Sequence, residues 1–260
     1  MSSLFDLKGR VAVVTGGNGG IGLGMAEALA EAGCAVSVWG RNAEKNAAAV
    51  ARLSALGAAA GSEALDVTDR AAVEAAFTRT LARFGRVDGV FANAGVSGAQ
   101  PGSFVDRDDA DWRRVMGANV DGVVHVFQAA ARHMVARAKA GDPFGRLVAT
   151  SSVASIDGAA FNEHYGASKG AVNSFVRAIA VELARHGITV NSILPGWIET
   201  DMTTDMMQND KFVRNVSPRI PVRRFGRPAD FAGIAVYLMS PASAYQTGQT
   251  LVIDGGYTIF

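Results

Sequence analysis

Short apolar runs alternate with longer Ala-rich segments along almost the whole chain. The runs are rich in β-branched residues and predict seven strands, at 10–15, 35–39, 62–67, 87–93, 145–151, 187–194 and 249–254. The segments between them predict helices at 20–32, 43–56, 69–84, 108–138, 165–185 and 228–239. Strands that alternate with helices in this way build βαβ units and a parallel sheet. The pattern therefore predicts a doubly wound α/β fold, with helices on both faces of a parallel seven-stranded sheet.

The composition fits a single large core. Of the 260 residues, 49% are hydrophobic and 19% are charged, which suits one compact α/β unit that stays in solution. No Pro/Ser-rich linker, charge run or composition break divides the chain, so we expect one domain over residues 1–260. Sheets of this kind bind ligands at the carboxyl ends of their strands, where the strand order reverses. Motifs that follow strand ends are therefore the candidates for function.

Charge and cysteine content exclude several classes of partner. The 25 basic and 24 acidic residues are spread along the chain, so we expect no nucleic acid as the main partner. The first residues lack the apolar core of a signal peptide, and no apolar run approaches the roughly 18 residues of a membrane span. We therefore expect a soluble, cytoplasmic protein. The single cysteine, Cys34, can form no internal disulfide, and the four histidines lack metal-ligand spacing, so no metal is expected.

The segment TGGNGGIG, at 15–22, follows the first strand and opens the first helix. Glycines at such a turn allow positive φ angles and let the backbone approach a pyrophosphate at the helix N-terminus. A dinucleotide is the expected ligand. Two glycine patterns fit the segment. GxGxxG uses Gly17, Gly19 and Gly22, whereas TGxxxGxG uses Gly16, Gly20 and Gly22.

The end of the second strand carries no acidic side chain. It reads Trp39, Gly40, Arg41 and Asn42, and the first acid after it is Glu44. An acid at this place binds the adenine ribose diol and would repel a 2′-phosphate, whereas an arginine offers that phosphate a charged set of donors. The sequence therefore favours NADP(H), with NAD(H) as the alternative.

A tyrosine and a lysine lie four residues apart at the start of the predicted helix 165–185. Residues at this spacing share one face of a helix, so Tyr165 and Lys169 lie together. An ammonium group near a tyrosine stabilises the phenolate and so helps the tyrosine to transfer a proton. Ser152 lies thirteen residues before Tyr165, at the carboxyl end of a strand, where its hydroxyl could orient a substrate carbonyl. The three side chains could converge on one oxygen atom.

Together these features resemble the short-chain dehydrogenase/reductase family. The resemblance rests on TGxxxGxG, on the NAG at 93–95, on the spacing of Ser152, Tyr165 and Lys169, and on PGWIET at 195–200, and it covers essentially the whole chain. It implies a Rossmann fold and an oxidoreductase that transfers hydride between NADP(H) and a ketone or secondary alcohol. It further implies that Tyr165 is the general acid/base and that Ser152 holds the substrate oxygen. Lys169 would lower the tyrosine pKa and bind the nicotinamide ribose.

Other roles follow from the same resemblance. Asn119 matches the family position that anchors a water in the proton relay to the lysine. The implied cofactor contacts, besides Tyr165 and Lys169, are Gly16, Asn18, Gly20, Ile21, Gly22, Arg41, Asn42, Asp66, Val67, Asn93, Ala94, Gly95, Pro195, Gly196, Ile198 and Thr200. Two positions depart from the family pattern. Gly19 stands where many NADP-preferring members have a basic residue, and Ala92 replaces the first Asn of the common NNAG.

Two neighbours of the catalytic set need separate interpretation. His164 directly precedes Tyr165, and we expect it to be exposed or to face the substrate without a catalytic role, because the relay is complete without it. Ser151 is expected to be a hydrogen-bonded strand residue, since only one of two adjacent strand side chains can face the site.

The sequence determines the substrate less closely than it determines the fold and the reaction. The segment at about 196–220 holds Met202, Met206 and Met207 and stands where the family has a substrate lid. A broad ketone or alcohol oxidoreductase, a sugar or polyol dehydrogenase and a 3-oxoacyl thioester (acyl-carrier-protein) reductase stay open. The last needs a basic patch near the cleft, for which the candidates are Arg219, Arg223, Arg224 and Arg227. A nucleotide-sensing binding protein is the alternative from another class.

The two longest predicted helices indicate self-association. The Ala- and Val-rich faces of 108–138 and 165–185 exceed what one sheet face needs, and LVIDGGYTIF at 251–260 adds an apolar edge. In the family that the chain resembles, such surfaces form tetramers. A homotetramer is therefore expected, with a dimer as the alternative.

Overall fold

The computed structural model describes residues 4–98 and 102–260. Its strands lie close to the predicted runs. They are β1 Val11–Thr15, β2 Ala35–Gly40, β3 Ala60–Ala64, β4 Gly89–Ala92, β5 Gly145–Thr150, β6 Ile188–Pro195 and β7 Thr250–Ile253. In the described part of the chain these strands form one seven-stranded sheet in the order β3-β2-β1-β4-β5-β6-β7.

Every pairing in this sheet is parallel, which confirms the predicted doubly wound fold. The chain runs outwards from β1 to β3, returns to pair β4 with β1, and then runs outwards the other way to β7. The order therefore reverses between β1 and β4. At such a switch point the connections leave on opposite faces, and a crevice opens at the carboxyl ends of the two strands.

Helices cover both faces of the sheet. They are α1 Gly20–Glu31, α2 Ala43–Ala55, α3 Arg70–Phe84, α4 Asp109–Met116, α5 Gly122–Lys139, α6 Glu163–Leu183, α7 Thr204–Met207, α8 Asp210–Val216 and α9 Ala232–Met239. None of the helices within the described ranges is long and apolar enough to span a bilayer. Side-chain oxygens cap the starts of α2 and α3: Asn42 accepts from the Lys45 N–H and Asp69 from the Ala72 N–H.

Two hydrophobic clusters divide the core between the faces. One packs β-strand residues such as Val13 against α3, α5 and α6, and the other packs Ala12 and Val14 against α1, α2 and α9. Successive strand residues point to opposite faces, so a strand buried on both sides is apolar at every position. All five residues of β1 are buried accordingly.

The predicted helix 108–138 is helical from Asp109 to Lys139 in the structure and contains an irregular turn. This π-helical turn, Gly117–Asp121, lies between α4 and α5. Within it the buried Asn119 side chain bonds to the backbone of Val96 on the neighbouring loop. A single-turn π-bulge of this kind inserts an extra residue and commonly lies at a functional site. The predicted helix is therefore confirmed, whereas the π-helical turn inside it was not predicted, because the contact between Asn119 and Val96 joins segments that are distant in sequence.

Smaller differences have local causes. The strand predicted at 62–67 lies at Ala60–Ala64, and Asp66 instead forms a turn in which its carboxylate accepts from Thr68. The last predicted helix begins as a 3-10 turn at Pro228–Phe231 before α9. Pro228 has no N–H and fits only the first turn of a helix. The segment 196–220 contains α7 and α8, which were not predicted.

One buried carboxylate links several elements at the amino-terminal edge of the sheet. The Asp88 side chain, fully buried just before β4, accepts from the backbone N–H of Val11 at 3.0 Å. Arg86 donates to it at 2.8 Å, and Arg10 and Arg137 contact it at 3.2 and 3.1 Å. A buried charge is tolerated only when it is fully paired in this way. Asp88 therefore holds β1, β4 and α5 together, away from the crevice.

We expect Asp88→Asn to lower the free energy of unfolding by about 3 kcal/mol, at the low end for a buried ion pair because the arginines keep some contact with water. Asp142→Asn is the matched control. Asp142 contacts Arg86 and Arg137 but is about half-exposed, so its loss should cost less than about 1 kcal/mol. Urea unfolding of both variants tests this. Equal losses of stability in the two variants would show that the burial of Asp88 does not account for its contribution to the free energy of unfolding.

Candidate active site

The glycine loop after β1 has the geometry of a phosphate-binding turn. Gly16 and Gly20 have φ angles of +64° and +50°, a region that other residues rarely adopt. A Cβ on Gly22 would lie 2.3 Å from the Gly16 carbonyl oxygen, and one on Gly17 would lie 2.9 Å from that of Val14. Gly19 has open space around it. The structure therefore requires the three glycines of TGxxxGxG, whereas the GxGxxG reading includes one glycine that nothing constrains.

Asn93 joins the loop to the neighbouring strand ends. Its side-chain amide donates to the Thr15 carbonyl at 3.2 Å, and its side-chain oxygen accepts from the Thr150 hydroxyl at 3.2 Å. The Thr15 hydroxyl in turn accepts from the backbone N–H groups of Asn93 and Ala94, both at 3.0 Å. The carboxyl ends of β1, β4 and β5 are thereby held in one geometry. Asn93 lines the crevice, but its side chain is already occupied in holding these strands.

The end of β2 presents positive charge to the crevice. Arg41 is largely exposed, and its guanidinium lies 3.9 Å from the Asp66 carboxylate. Hydrogen bonds from Thr68, and more weakly the Arg41 charge, lower the pKa of Asp66. Lys45 lies in the first turn of α2 and also lines the crevice. Asn18, on the glycine loop, donates to Asn46 at 2.7 Å and so fixes the loop to this region.

Ser152, Tyr165 and Lys169 meet at the carboxyl end of β5. The Ser152 hydroxyl oxygen accepts from the Ala154 N–H at 3.1 Å, which leaves its own proton available, and the hydroxyl is close enough to lower the pKa of Tyr165. The Lys169 ammonium nitrogen lies 5.6 Å from the centre of the Tyr165 ring and donates to the Thr150 carbonyl at 2.8 Å. An ammonium has three protons, so two remain for other acceptors.

Burial controls the ionisation of this group. Desolvation raises the pKa of Tyr165, and the hydrogen bond from Ser152 lowers it in part. Desolvation also lowers the pKa of Lys169 to about 8. At neutral pH the tyrosine is therefore protonated and the lysine is charged. This is the pairing that a tyrosine needs in order to give up a proton and leave a stabilised phenolate.

Asn119 lies behind this group rather than in the crevice. It is fully buried, and its amide donates to the Val96 carbonyl at 2.9 Å and to the Ser168 hydroxyl at 3.0 Å. Its oxygen accepts from the Val96 N–H at 2.8 Å. A Cβ on Gly95 would lie 3.0 Å from the Asn119 oxygen and 3.4 Å from the lysine nitrogen. Asn119 therefore connects the loop after β4 to α6 beside Lys169.

His164 is fully buried, so the expectation that it is exposed or faces the substrate is wrong. Its Nε2 atom lies 3.0 Å from the Asp111 carboxylate, and its ring stacks on Trp112 with centroids 6.5 Å apart. The adjacent Glu163 binds Arg107 at 2.8 Å. These contacts fix the start of α6 against α4. Ser151 donates to the Lys169 carbonyl at 3.0 Å, as a hydrogen-bonded residue at the strand end.

One cavity of about 1020 Å³ gathers almost all the predicted site residues. Every predicted catalytic and cofactor-binding residue lines it except Gly22, which supports the glycine loop from below, and Asn119. The cavity also includes cations and an acid that the sequence interpretation missed: Lys45, Arg113, Arg114 and Asp201. Lys45 has a local signal, since it lies four residues after Arg41 at a helix start. Within the described ranges, no three His, Cys, Asp or Glu side chains are placed to hold a metal ion.

The chain matches a family model described as Enoyl-(Acyl carrier protein) reductase over residues 16–258. Gluconate 5-dehydrogenase of Gluconobacter oxydans (strain 621H) is 36% identical over 256 residues, which is 98% of this chain and 97% of that protein. Among solved structures, a gluconate 5-dehydrogenase from Burkholderia cenocepacia J2315, in complex with NADP and tartrate, is 37% identical with a TM-score of 0.92. A short-chain type dehydrogenase/reductase from Mycobacterium marinum is 35% identical with a TM-score of 0.91. Each alignment to these structures covers 98% of both chains.

The glycine loop allows a matched pair of substitutions. We expect Gly22→Ala to weaken dinucleotide binding at least about tenfold, because its Cβ would overlap the Gly16 carbonyl and displace the phosphate-binding turn. Gly19→Ala adds the same atom to open space in extended backbone and should change the affinity less than about twofold. Isothermal titration calorimetry with NADP⁺ measures both. Equal losses would contradict the assignment of TGxxxGxG as the required pattern.

Proposed function

The chain belongs to the short-chain dehydrogenase/reductase family of NAD(P)-dependent oxidoreductases, and on that premise we propose its cofactor, mechanism and substrate class. It transfers hydride between NADP(H) and the carbonyl or alcohol carbon of a small polyhydroxylated substrate such as a sugar acid. The observation that carries this is the group of Ser152, Tyr165 and Lys169 in the same cavity as the glycine loop. A proton donor and a dinucleotide cradle in one cavity are what carbonyl reduction requires.

The crevice fits a dinucleotide. The loop after β1 is closely packed at Gly16, Gly20 and Gly22, where a Cβ would overlap Asn93, Thr200 and the Gly16 carbonyl, and Gly16 and Gly20 line the cavity where we place the pyrophosphate. At the other wall, a Cβ on Gly95 would come within 3.4 Å of the Lys169 ammonium. Arg41 at the end of β2 favours a 2′-phosphate, and a relative of 37% identity was solved in complex with NADP. These features support NADP(H) over NAD(H).

In the proposed mechanism the bound nicotinamide supplies or accepts the hydride, and the protein manages the proton. For reduction, the Tyr165 hydroxyl gives its proton to the substrate oxygen as negative charge develops there. Ser152 donates a hydrogen bond to the same oxygen and holds it against the tyrosine. The Lys169 ammonium stabilises the phenolate that remains and binds the ribose hydroxyls with its free protons. Oxidation uses the same groups in the opposite direction.

We propose that Asn119 completes the proton relay. Its side chain holds the Val96 loop and Ser168 together, and it lies next to Lys169 across Gly95. The π-helical turn that contains Asn119 departs from the usual i to i+4 bonding, and we propose that one of its backbone carbonyls holds a water molecule. Such a water would return a proton to Lys169 after each turnover.

The substrate class rests on the relatives and on the charges around the lid. Both gluconate 5-dehydrogenases named above carry sugar-acid substrates in their names. The alternative, a 3-oxoacyl thioester of an acyl carrier protein, needs a free basic patch. Arg224 makes two bonds to Asp230 at 2.6 and 2.8 Å, and Arg227 lies 3.7 Å from Glu199. Two of the four candidate arginines are thus paired with acids, whereas Arg219 and Arg223 donate to neutral oxygens. This pairing and the names of the relatives together support a small-molecule substrate.

We propose that residues 196–220 form the substrate lid. The segment begins at the end of β6 and contains α7 and α8, and Met202 lines the cavity. An apolar cluster holds the segment, in which Trp197 packs edge-on against Phe212 with ring centroids 4.9 Å apart and against Tyr257 near the C-terminus. A segment packed on its own side chains and on the C-terminus can cover the substrate while it stays outside the sheet.

We also propose a homotetramer, with a dimer as the alternative. Apolar side chains are exposed on α6 and at the C-terminus, with Val181 at 84% and Ile259 at 89% exposure. Surfaces of this kind commonly mark contacts between subunits. Sedimentation velocity at micromolar concentration decides the matter, and a monomer would overturn the proposal.

The central test is Tyr165→Phe. We expect kcat to fall by about 10²- to 10⁴-fold, because the proton donor is lost, while the dissociation constant for NADP⁺ changes little. The assay is run in both directions on D-gluconate, galactitol, a cyclic ketone and acetoacetyl thioesters. Tyr237→Phe, which removes a hydroxyl bonded to Gln246 outside the cavity, is the matched control and should keep full turnover. Undiminished turnover in Tyr165→Phe would contradict the mechanism.

The same panel separates an enzyme from a sensor. A nucleotide-sensing protein would bind the dinucleotide and turn over none of these compounds in the wild-type form. Preference for the thioesters over the polyols would instead favour the acyl-carrier alternative.

The ionisation of Lys169 predicts a pH dependence. Burial lowers its pKa to about 8, so the free protein loses the ammonium charge as the pH rises through that value. In the proposed complex the ribose hydroxyls accept from the ammonium, so the cofactor binds the charged form of Lys169 more tightly. Above pH 8 the lysine must therefore take up a proton when the cofactor binds. We expect the affinity for NADP⁺ to be constant from pH 6.5 to about 8 and to fall up to about tenfold per pH unit above it. Calorimetry across this range tests this, and constant affinity up to pH 9.5 would contradict it.

A further inference from the structure

An ion pair spans the mouth of the cofactor cavity. Lys45, in the first turn of α2, donates to the carboxylate of Asp201 at 2.8 Å. Asp201 directly follows Thr200 after β6 and is 156 residues away in sequence. Both side chains line the cavity and both are exposed, at 57% and 87%. The pair therefore connects the end of the cavity formed by β2 to the start of the lid segment.

Lys45 and Arg41 form one positively charged group at the start of α2. Arg41 lies one residue before the helix cap Asn42, and Lys45 donates its backbone N–H to that cap at 2.9 Å. Neither cation is needed to neutralise a buried acid, since Asp66 lies 3.9 Å from Arg41 and is itself partly exposed. Gly19, on the loop opposite, contributes no side chain. The two cations are thus available to a ligand.

The chemistry of a phosphate monoester suits two such cations. It carries a charge of about −1.5 to −2 at neutral pH and offers three acceptor oxygens. Arg41 can bind two of those oxygens with its planar fork, and Lys45 adds a mobile point charge. A single carboxylate, with one negative charge, is the weaker partner for this group.

We propose that Lys45 is a second determinant for the cofactor 2′-phosphate and that Asp201 is the carboxylate which the phosphate displaces from it. This inference rests on the proposed function, because it takes NADP(H) to bind at the end of β2. Without a 2′-phosphate, Asp201 stays on Lys45, so NAD(H) meets a neutralised pair. Attraction to Arg41 and Lys45 then raises the preference for NADP(H), and competition from Asp201 moderates it.

The exposure of both side chains lowers the cost of exchanging Asp201 for the phosphate on Lys45. Water and salt screen an exposed ion pair, so breaking the contact between Lys45 and Asp201 costs little. Lys45 lowers the pKa of Asp201, so the carboxylate stays ionised and competes at neutral pH. The competing explanation is that the pair is only a tether for the lid segment. A tether would affect cofactors with and without the 2′-phosphate equally.

Two adenosine nucleotides without a nicotinamide distinguish these explanations. Adenosine 2′,5′-bisphosphate and AMP differ only in the 2′-phosphate and undergo no turnover. Their dissociation constants are measured by calorimetry on the full chain as wild type, Lys45→Met, Asp201→Asn and the double variant. Lys139→Met, an exposed lysine at the end of α5 that does not line the cavity, is the matched control.

We expect Lys45→Met to weaken the bisphosphate about tenfold and AMP less than twofold, as for loss of one hydrogen bond to a charged group. Asp201→Asn should tighten the bisphosphate about threefold, since a weak competing ion pair is removed, and leave AMP unchanged. In the Lys45→Met background, Asp201→Asn should have no effect. The dependence of one substitution on the other is the signature of competition for Lys45.

Three outcomes would overturn the inference. Lys45→Met could change both nucleotides equally or neither, which would leave Lys45 as a tether or a surface charge. Asp201→Asn could tighten the bisphosphate equally in both backgrounds, which would make its effect general electrostatics. Wild-type protein could bind the bisphosphate no more tightly than AMP, and that result would overturn the NADP(H) assignment itself. Only this last outcome would also contradict the proposed function. Failure of the inference about Lys45 and failure of the NADP(H) assignment are therefore distinguishable.

Discussion

The site depends on the hydrogen bonds that hold the carboxyl ends of β1, β4 and β5 together. Asn93 and Thr15 exchange bonds between β1 and β4, and Thr150 bonds Asn93 from β5. Because the strand order reverses here, α1 and α5 pack on opposite faces of the sheet and a crevice opens between the connections. The glycine loop and Gly95 form the walls of that crevice. The glycine loop, Asn93, Gly95 and Ser152 take their positions from these strand ends.

The chemical end of the cavity is held rigidly. Helix α6 is fixed by the bond from Ser151 to the Lys169 carbonyl, by the bond from Asn119 to Ser168, and by the buried His164 against Asp111. These contacts place Lys169 almost out of solvent and Tyr165 half-buried beside it. In the proposed mechanism the ammonium charge acts on the phenolate with less screening than it would have in water. Burial also lowers the pKa of the lysine.

The other end of the cavity is built on a different principle. Arg41, Lys45 and Asp201 are exposed, and their mutual contacts are easily exchanged. Exposed charges contribute little to folding stability, and they can change partners when a ligand arrives. In the proposed function, a largely buried proton-transfer group and an exposed charged group for phosphate recognition therefore occupy the two ends of one cavity. Thr200 and Asp201, at the start of the proposed lid segment, line the end that carries the exposed charges.

The sequence by itself determined what depends on local spacing. Apolar runs of β-branched residues set the strands, the glycines after β1 set the loop, and the spacing of Tyr165 and Lys169 set one helical face, since each signal lies within a few residues. Contacts between distant segments could not be predicted from the sequence. The bond from Asn119 to Val96 accompanies a π-helical turn that was not predicted, burial against Asp111 removed His164 from solvent, and Lys45 met Asp201 across the cavity. Packing decided these points, because a side chain's partner and its exposure depend on segments that meet only in the folded chain.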